Sequence, residues 1–168
     1  MGPLQMFDER EFDALVEKYF SALTFFARRW VRHAAEDVAQ TTFLKLIKYA
    51  EKNGLPVNVS AWLFKTAKRT AIDEYRKTSR FRRLQQEFED RGEITFEDSP
   101  DDKLFAQEMT ERLKNLSPDA KQIVLLRVWG GLSFEEIADV VETSKSSVFR
   151  EYRRALETLR DGAAKQAP

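Results

Sequence analysis

The spacing of apolar residues predicts two helices in the first fifty positions. Apolar side chains recur every three or four residues from Phe12 to Trp30, which is the period of one buried helix face. Asp8 stands at the position of an N-cap for this helix. A second run of the same period covers residues 35–51. Leu44 lies off the apolar stripe of that run, so it is either a docking residue or an isolated exposed leucine.

The third predicted helix has one apolar and one basic face. It follows the helix-breaking segment 53–56, takes Ser60 as its N-cap and reaches at least Lys77. Its apolar stripe comprises Leu63, Phe64, Ala67, Ala71 and Tyr75. Its opposite face carries an aromatic residue followed by cations: Trp62, Lys65, Arg69, Arg76 and Arg80. Cations release counterions from a nucleic-acid backbone and a ring can stack on a base, although an ordinary solvated helix face shows the same pattern.

Caps and breaks in the C-terminal third predict two more helices. Ser117, which precedes a proline, is typical of a helix start, and the glycine pair that begins at Gly130 ends that helix. Ser133 and Glu136 form the capping box of a short helix that runs to Val141.

A turn at Glu142 and Thr143 then leads into a last helix over about residues 144–160, and the residues from Gly162 onward are expected to form a frayed tail. The inward residues of this helix are Val148, Tyr152, Ala155, Leu156 and Leu159. Its outward face carries Lys145, Ser146, Ser147, Arg150, Arg153 and Arg154. A short helix, a brief turn and a second helix with basic and hydroxyl residues near its start predict a helix-turn-helix, with an ordinary helical hairpin as the alternative.

Charge divides the chain into two predicted helical domains, 7–83 and 101–162, joined by a flexible acidic linker at 84–100. Basic and acidic residues are equal at 28 each over 168 residues. Residues 65–83 nevertheless hold eight basic and two acidic residues, whereas residues 84–108 hold nine acidic and two basic ones. This segregation favours a polyanion-binding face beside a tether.

Composition excludes several classes of protein. The absence of cysteine rules out disulfides, thiolate metal sites and a cysteine nucleophile. A single histidine, His33, leaves little material for a metal site or a catalytic triad. No apolar run reaches the roughly 18 residues of a membrane helix. We therefore expect no membrane insertion, no metal, no cofactor and no enzymatic activity.

Six short segments, three on each side of the acidic stretch, carry a family resemblance. The segment 35–43 is similar to a motif Ala-Glu-Asp-x-x-Gln-x-x-Phe, and the other five segments are 61–67, 71–76, 116–118, 131–138 and 154–156. Together, and in this order, they resemble the extracytoplasmic-function (ECF) type sigma factors of bacterial RNA polymerase. The resemblance implies an all-α, two-domain chain that binds core RNA polymerase, recognises the minus-thirty-five and minus-ten promoter elements and promotes melting of promoter DNA.

The resemblance also implies roles for single residues. The residues that would dock on the polymerase clamp are Asp37, Gln40, Thr41, Leu44 and Lys48. The loop 52–59, with Asn53 and Asn58, would hold an extruded base of the minus-ten element. Trp62 would support the upstream edge of the melted DNA, and Lys65, Arg69 and Arg76 would contact phosphates. The residues that would read the minus-thirty-five element are Lys145, Ser146, Ser147, Phe149, Arg150, Arg153 and Arg154.

The resemblance further implies a cytoplasmic protein, monomeric when free, with an anti-sigma factor as an inhibiting partner. A fold-back of the acidic stretch onto the basic helix is a secondary route of inhibition. The alternative function is a stand-alone helix-turn-helix regulator with a helical sensor domain. That protein would favour a dimer, a palindromic site and an apolar pocket in its first domain.

Overall fold

The computed structural model describes residues 8–85 and 100–166, and over these ranges the chain forms seven α-helices and no strand. The helices are α1 (Glu9–Ala27), α2 (Ala35–Asn53), α3 (Val59–Gln85), α4 (Pro100–Leu113), α5 (Pro118–Val128), α6 (Phe134–Val141) and α7 (Lys145–Gln166). The all-α class is confirmed. Within the described residues, no helix has the length and hydropathy needed to cross a membrane.

The first three helices pack around a group of aromatic and aliphatic side chains. Phe64 of α3 is fully buried, and its ring meets those of Tyr19 and Phe26 edge to face, at centroid distances of 6.5 and 5.3 Å. Leu23 and Leu46 complete the centre of this group and are also fully buried. Edge-to-face packing is the preferred geometry for aromatic pairs and adds to the stabilisation from burial. The apolar stripes predicted for α1 and α2 thus face this core.

Most predicted helix starts are confirmed, and one is wrong. The side chains of Asp8, Ser117 and Ser133 each accept a hydrogen bond from a backbone N–H in the first turn of their helices. At α3, however, the capping oxygen belongs to Asn58, which accepts from the backbone N–H of Ala61 at 3.0 Å. Ser60 is not a cap, because it lies inside the helix with its hydroxyl turned toward the C-terminal half of the chain.

Two predicted core residues are exposed instead. Tyr75 of α3 is 53% exposed and Leu156 of α7 is 45% exposed. Both side chains line open grooves instead of the closed core: Tyr75 faces the end of α1, and Leu156 lies in a groove with Val128 and Trp129. The predicted tail is also wrong as far as residue 166, because α7 continues to Gln166.

The helix α4 was not predicted. It begins at Pro100, the last position of the predicted linker, and buries Ala106, Met109 and Leu113. Leu116 belongs to the same buried cluster as Met109 and Leu113. The acidic linker predicted for 84–100 lies mostly outside the described residues, and its outermost positions 84, 85 and 100 belong to helices.

The N-terminal and C-terminal helices share one apolar cluster. Leu63 and Phe64 belong to the same cluster of buried residues as Leu126, Leu132 and Ile137. Phe25 of α1 makes a further contact between the two halves, because its ring meets that of Phe105 in α4 at a centroid distance of 6.2 Å. An exposed ion pair joins Arg29 to Asp119 at 2.7 Å. The two predicted helical domains therefore pack directly against each other.

Candidate nucleic-acid and polymerase interface

The outward face of α2 presents an apolar residue in polar surroundings. Leu44 is 59% exposed, which confirms that it lies off the core stripe. Asp37, Gln40 and Lys48 are exposed around it, and Thr41 is half-buried. A large apolar side chain with a charged rim is the composition of an interaction surface. We refer to these five residues as the α2 face.

The loop between α2 and α3 is held in shape by two asparagines. Asn53 donates from its side-chain amide to the carbonyl of Tyr49 at 3.0 Å, and Asn58 caps α3. Trp62 is half-buried, with its ring tilted against that of Tyr49 at a centroid distance of 5.4 Å. Val57 at the tip is fully exposed. The loop thus has an ordered base and an open tip.

The structure divides the predicted basic face of α3. Arg69, Arg76 and Arg80 are exposed. Lys65 is half-buried instead, and its ammonium group lies 2.9 Å from the carboxylate of Asp139 in α6. Lys65, at the start of this face, therefore contacts α6, whereas Arg69, Arg76 and Arg80 are exposed to solvent.

The Lys65 ammonium group holds the pKa of the Asp139 carboxyl below its usual range, through a hydrogen bond and through charge attraction. A carboxyl whose pKa is lowered in the folded state stabilises that state above its ordinary pKa. This contribution is lost as the pH falls through the lowered value. The Asp139 carboxyl is therefore ionised at neutral pH, where it accepts the hydrogen bond from Lys65.

The C-terminal helices form the predicted helix-turn-helix. The chain turns after α6 at Glu142, whose φ of 58° is left-handed, and α7 begins at Lys145. The hydroxyl of Ser144 accepts from the backbone N–H of Ser147 at 3.2 Å. The Ser147 hydroxyl in turn accepts from the guanidinium of Arg150 at 3.4 Å. These contacts order the first turns of α7.

The other side chains predicted to read DNA lie along the same helix. Lys145, Ser146, Arg150, Arg153 and Arg154 are exposed. Phe149 is 45% exposed, and its ring meets that of Phe134 in α6 edge to face at 5.4 Å. The Arg153 guanidinium lies 5.9 Å from the Phe149 ring. Phe149 thus connects α6 to the exposed face of α7 and is only partly available to a ligand.

A basic cavity of about 900 Å³ between the end of α1 and the last turns of α3 was not predicted. Its lining includes five basic residues: Arg28, Arg29, Arg32, His33 and Arg82. Tyr75, the residue predicted to be in the core, forms part of its wall. The run of basic residues from Arg28 to His33 was a visible signal for this site. A cation-lined cavity differs from the apolar pocket that a sensor domain would need.

Comparison with known proteins agrees with this geometry. Residues 15–81 match the family described as Sigma-70 region 2, and residues 106–159 match Sigma-70, region 4. The RNA polymerase sigma factor SigV of Bacillus subtilis is 30% identical over 129 residues, which cover 75% of this chain and 74% of the relative.

Two solved structures share the fold. The sigma factor RpoE from Bartonella quintana, in complex with the anti-sigma factor NepR, superposes with a TM-score of 0.60 at 20% identity, covering 94% of this chain and 99% of that one. CnrH, in complex with the cytosolic domain of CnrY, gives a TM-score of 0.54 at 21% identity, covering 98% and 96%. From the two matching regions and the bacterial relative, the chain belongs to the ECF-type sigma factors of RNA polymerase.

Proposed function

We propose that this sigma factor binds core RNA polymerase through the α2 face and binds promoter DNA through both of its halves. The observation that carries the proposal is the exposure of two different faces on one chain. Leu44 stands outward on α2 among polar residues, and the basic and hydroxyl residues of α7 stand outward on the second helix of a helix-turn-helix. A stand-alone regulator would use such a face to form a dimer, whereas the family to which the chain belongs favours polymerase as its partner.

We assign promoter contacts to each half of the chain. In the first domain, taken as residues 7–83, the open tip of the loop before α3 receives an unstacked base of the minus-ten element, with Asn53, Asn58 and Trp62 around it. The exposed cations of α3 contact phosphates, and the basic cavity extends this charge toward the end of α1. In the second domain, taken as residues 101–162, α7 enters the major groove at the minus-thirty-five element.

The same assignment defines the partners. We propose an anti-sigma factor as inhibitor, in line with the two neighbouring structures, each of which is a complex of two proteins. The chain acts as an initiation factor and catalyses no reaction of its own. We place the chain in the bacterial cytoplasm, because core polymerase and promoter DNA are found there, and we expect it to be a monomer when free.

We expect Asp37→Arg to weaken binding to core polymerase at least tenfold, because it reverses a charge at the rim of the α2 face, and Leu44→Ala to weaken it by a similar factor. Binding is measured by fluorescence anisotropy of labelled full-length chain titrated with core enzyme. The matched control is Asp13→Arg, an exposed aspartate on α1 outside this face. Equal affinity of Asp37→Arg and Asp13→Arg, with unchanged thermal melts, contradicts the assignment.

We expect Arg150→Ala and Arg153→Ala to weaken binding of the holoenzyme to double-stranded DNA that carries the minus-thirty-five element. Loss of a phosphate contact reduces the affinity for all sequences and flattens the salt dependence by about one unit, whereas loss of a base contact costs about 1–3 kcal/mol at one position. Arg160→Ala, farther along α7, is the control. Wild-type binding by both variants would place the recognition surface elsewhere, and a dimer on a palindrome without polymerase would favour the stand-alone regulator.

A further inference from the structure

A second, smaller cavity adjoins the basic cavity at the end of α1. Its volume is about 310 Å³, and it lies between the end of α1, Thr110 of α4 and the first turns of α5. Three arginines line both cavities, namely Arg28, Arg29 and Arg32. The two cavities therefore meet at these side chains, and we refer to them together as the paired cavities.

Cations from three parts of the chain converge on the paired cavities. Besides the arginines that follow α1, Arg82 of α3 lines the larger cavity and Lys121 of α5 lines the smaller one. In the part of the chain that the structure describes, no acidic residue lines either cavity. Asp119, which pairs with Arg29 at 2.7 Å, stands outside both linings. A cleft lined by charges of one sign attracts a ligand of the opposite sign.

The smaller cavity also has a buried hydrogen-bond donor in its wall. Gln122 is only 7% exposed and borders this cavity together with Phe26 and Leu125, both of which are buried. The side-chain Nε2 of Gln122 finds no acceptor among the described residues. Buried polar groups in native proteins are nearly always hydrogen-bonded. The missing partner is an oxygen acceptor, and the surrounding cations select an anionic one.

The larger cavity offers contacts of another kind. Tyr75, which is 53% exposed, forms part of its wall beside the half-buried hydroxyl residues Thr78 and Ser79. A tyrosine ring can stack on a nucleobase, and hydroxyl groups both donate and accept hydrogen bonds. The volume of about 900 Å³ is far more than an inorganic anion fills and lies within the range of organic-ligand sites.

We propose that the paired cavities bind a nucleoside polyphosphate. Its phosphate chain lies on the three shared arginines and reaches the amide of Gln122, and its base lies beside Tyr75. Guanidinium groups suit this role because they bind phosphate oxygens through two parallel hydrogen bonds. Phosphates of duplex DNA can approach the rim of the larger cavity, but on a rigid rod they do not reach a buried amide. The site belongs to the free chain and does not depend on the promoter and polymerase contacts proposed above.

The test removes one buried donor and, separately, one exposed cation. Gln122→Leu keeps a side chain of similar size, and replacing an unsatisfied buried donor with an apolar group is not expected to weaken the fold. Arg32→Ala changes an exposed residue, so it tests the site without altering the core. The matched control is Arg10→Ala, an exposed arginine of α1 that lines neither cavity.

Isothermal titration calorimetry on the full chain, without polymerase or DNA, measures the affinity for ATP, AMP and inorganic pyrophosphate at constant ionic strength. We expect ATP to bind with a Kd below about 1 mM, the upper end of ordinary substrate levels, and about ten times more tightly than AMP or pyrophosphate. Gln122→Leu should weaken ATP binding about tenfold, as expected for a lost hydrogen bond to a charged group. Arg32→Ala should weaken it at least about threefold. Arg10→Ala should bind like the wild type.

No binding of ATP at about 1 mM overturns the proposal. So does an affinity for ATP that is the same in Gln122→Leu, Arg32→Ala and the Arg10→Ala control. Pyrophosphate that binds as tightly as ATP would contradict a site for the base, and AMP that binds as tightly would contradict a site for the phosphate chain. Thermal melts without ligand report whether Gln122→Leu is folded, and if it is not, Arg32→Ala decides the outcome.

Discussion

Replacing Phe64 with alanine is expected to lower the free energy of unfolding by about 3–5 kcal/mol, the range for large aromatic truncations in a core. Phe64 is fully buried, meets the rings of Tyr19 and Phe26 and lies against Gly130. Its loss would leave a cavity at the point where the two domains meet. Urea titration followed by circular dichroism measures the effect.

The same helix offers a matched control. Phe81 is 60% exposed, so Phe81→Ala removes an identical side chain with little burial and is expected to change stability by less than about 0.5 kcal/mol. Equal losses for the two variants would mean that Phe64 is not at the centre of the core.

Gly130→Ala is expected to cost about 1–3 kcal/mol, as is usual when a methyl group is forced into packed surroundings. The added carbon would lie 2.5 Å from the carbonyl oxygen of Leu126 and 3.1 Å from the Phe64 ring. Backbone at the end of α5 cannot move away without disturbing the hydrogen bond from the N–H of Leu132 to the same carbonyl.

Gly162 is the control for this substitution. It lies in α7, and an added methyl group would meet only the side chain of Asn115 at 3.8 Å, an ordinary contact. Gly162→Ala should therefore raise stability by about 0.5–1 kcal/mol, because alanine favours a helix over glycine. Two glycine-to-alanine changes of opposite sign would locate the close approach at Gly130. A stabilising Gly130→Ala would contradict it.

Helix starts could be predicted wherever one residue carried the signal. Ser117 and Ser133 each precede a helix with few competing candidates. At α3, Asn58 and Ser60 are both good caps two positions apart, and periodicity does not distinguish them. The choice is made by the second domain, because the buried Ser60 hydroxyl donates to Gly130. A contact between residues so far apart in sequence leaves no local pattern.

Contacts between residues distant in sequence also limit what can be predicted of the candidate site. The α2 face could be predicted because Leu44 lies off a regular stripe on one helix. The different environments of Lys65 and Arg69 could not be predicted. Both residues belong to the same basic face of α3 in the sequence, and only the fold places Asp139 opposite Lys65. The helix α4 did have a signal, since Phe105, Met109 and Leu113 are spaced by four, but the surrounding acidic residues obscured it.

The turn at Glu142 has two requirements, one of backbone conformation and one of charge, that favour different residues. Its left-handed backbone would suit glycine or asparagine, and a residue with a longer side chain is strained there. Glutamate nevertheless places a carboxylate 3.4 Å from Lys68, which a glycine could not do. In evolutionary terms, a descendant of this chain that no longer needs the contact with Lys68 gains stability from glycine at this turn. A descendant that keeps the contact must retain an acidic residue in an unfavourable backbone conformation.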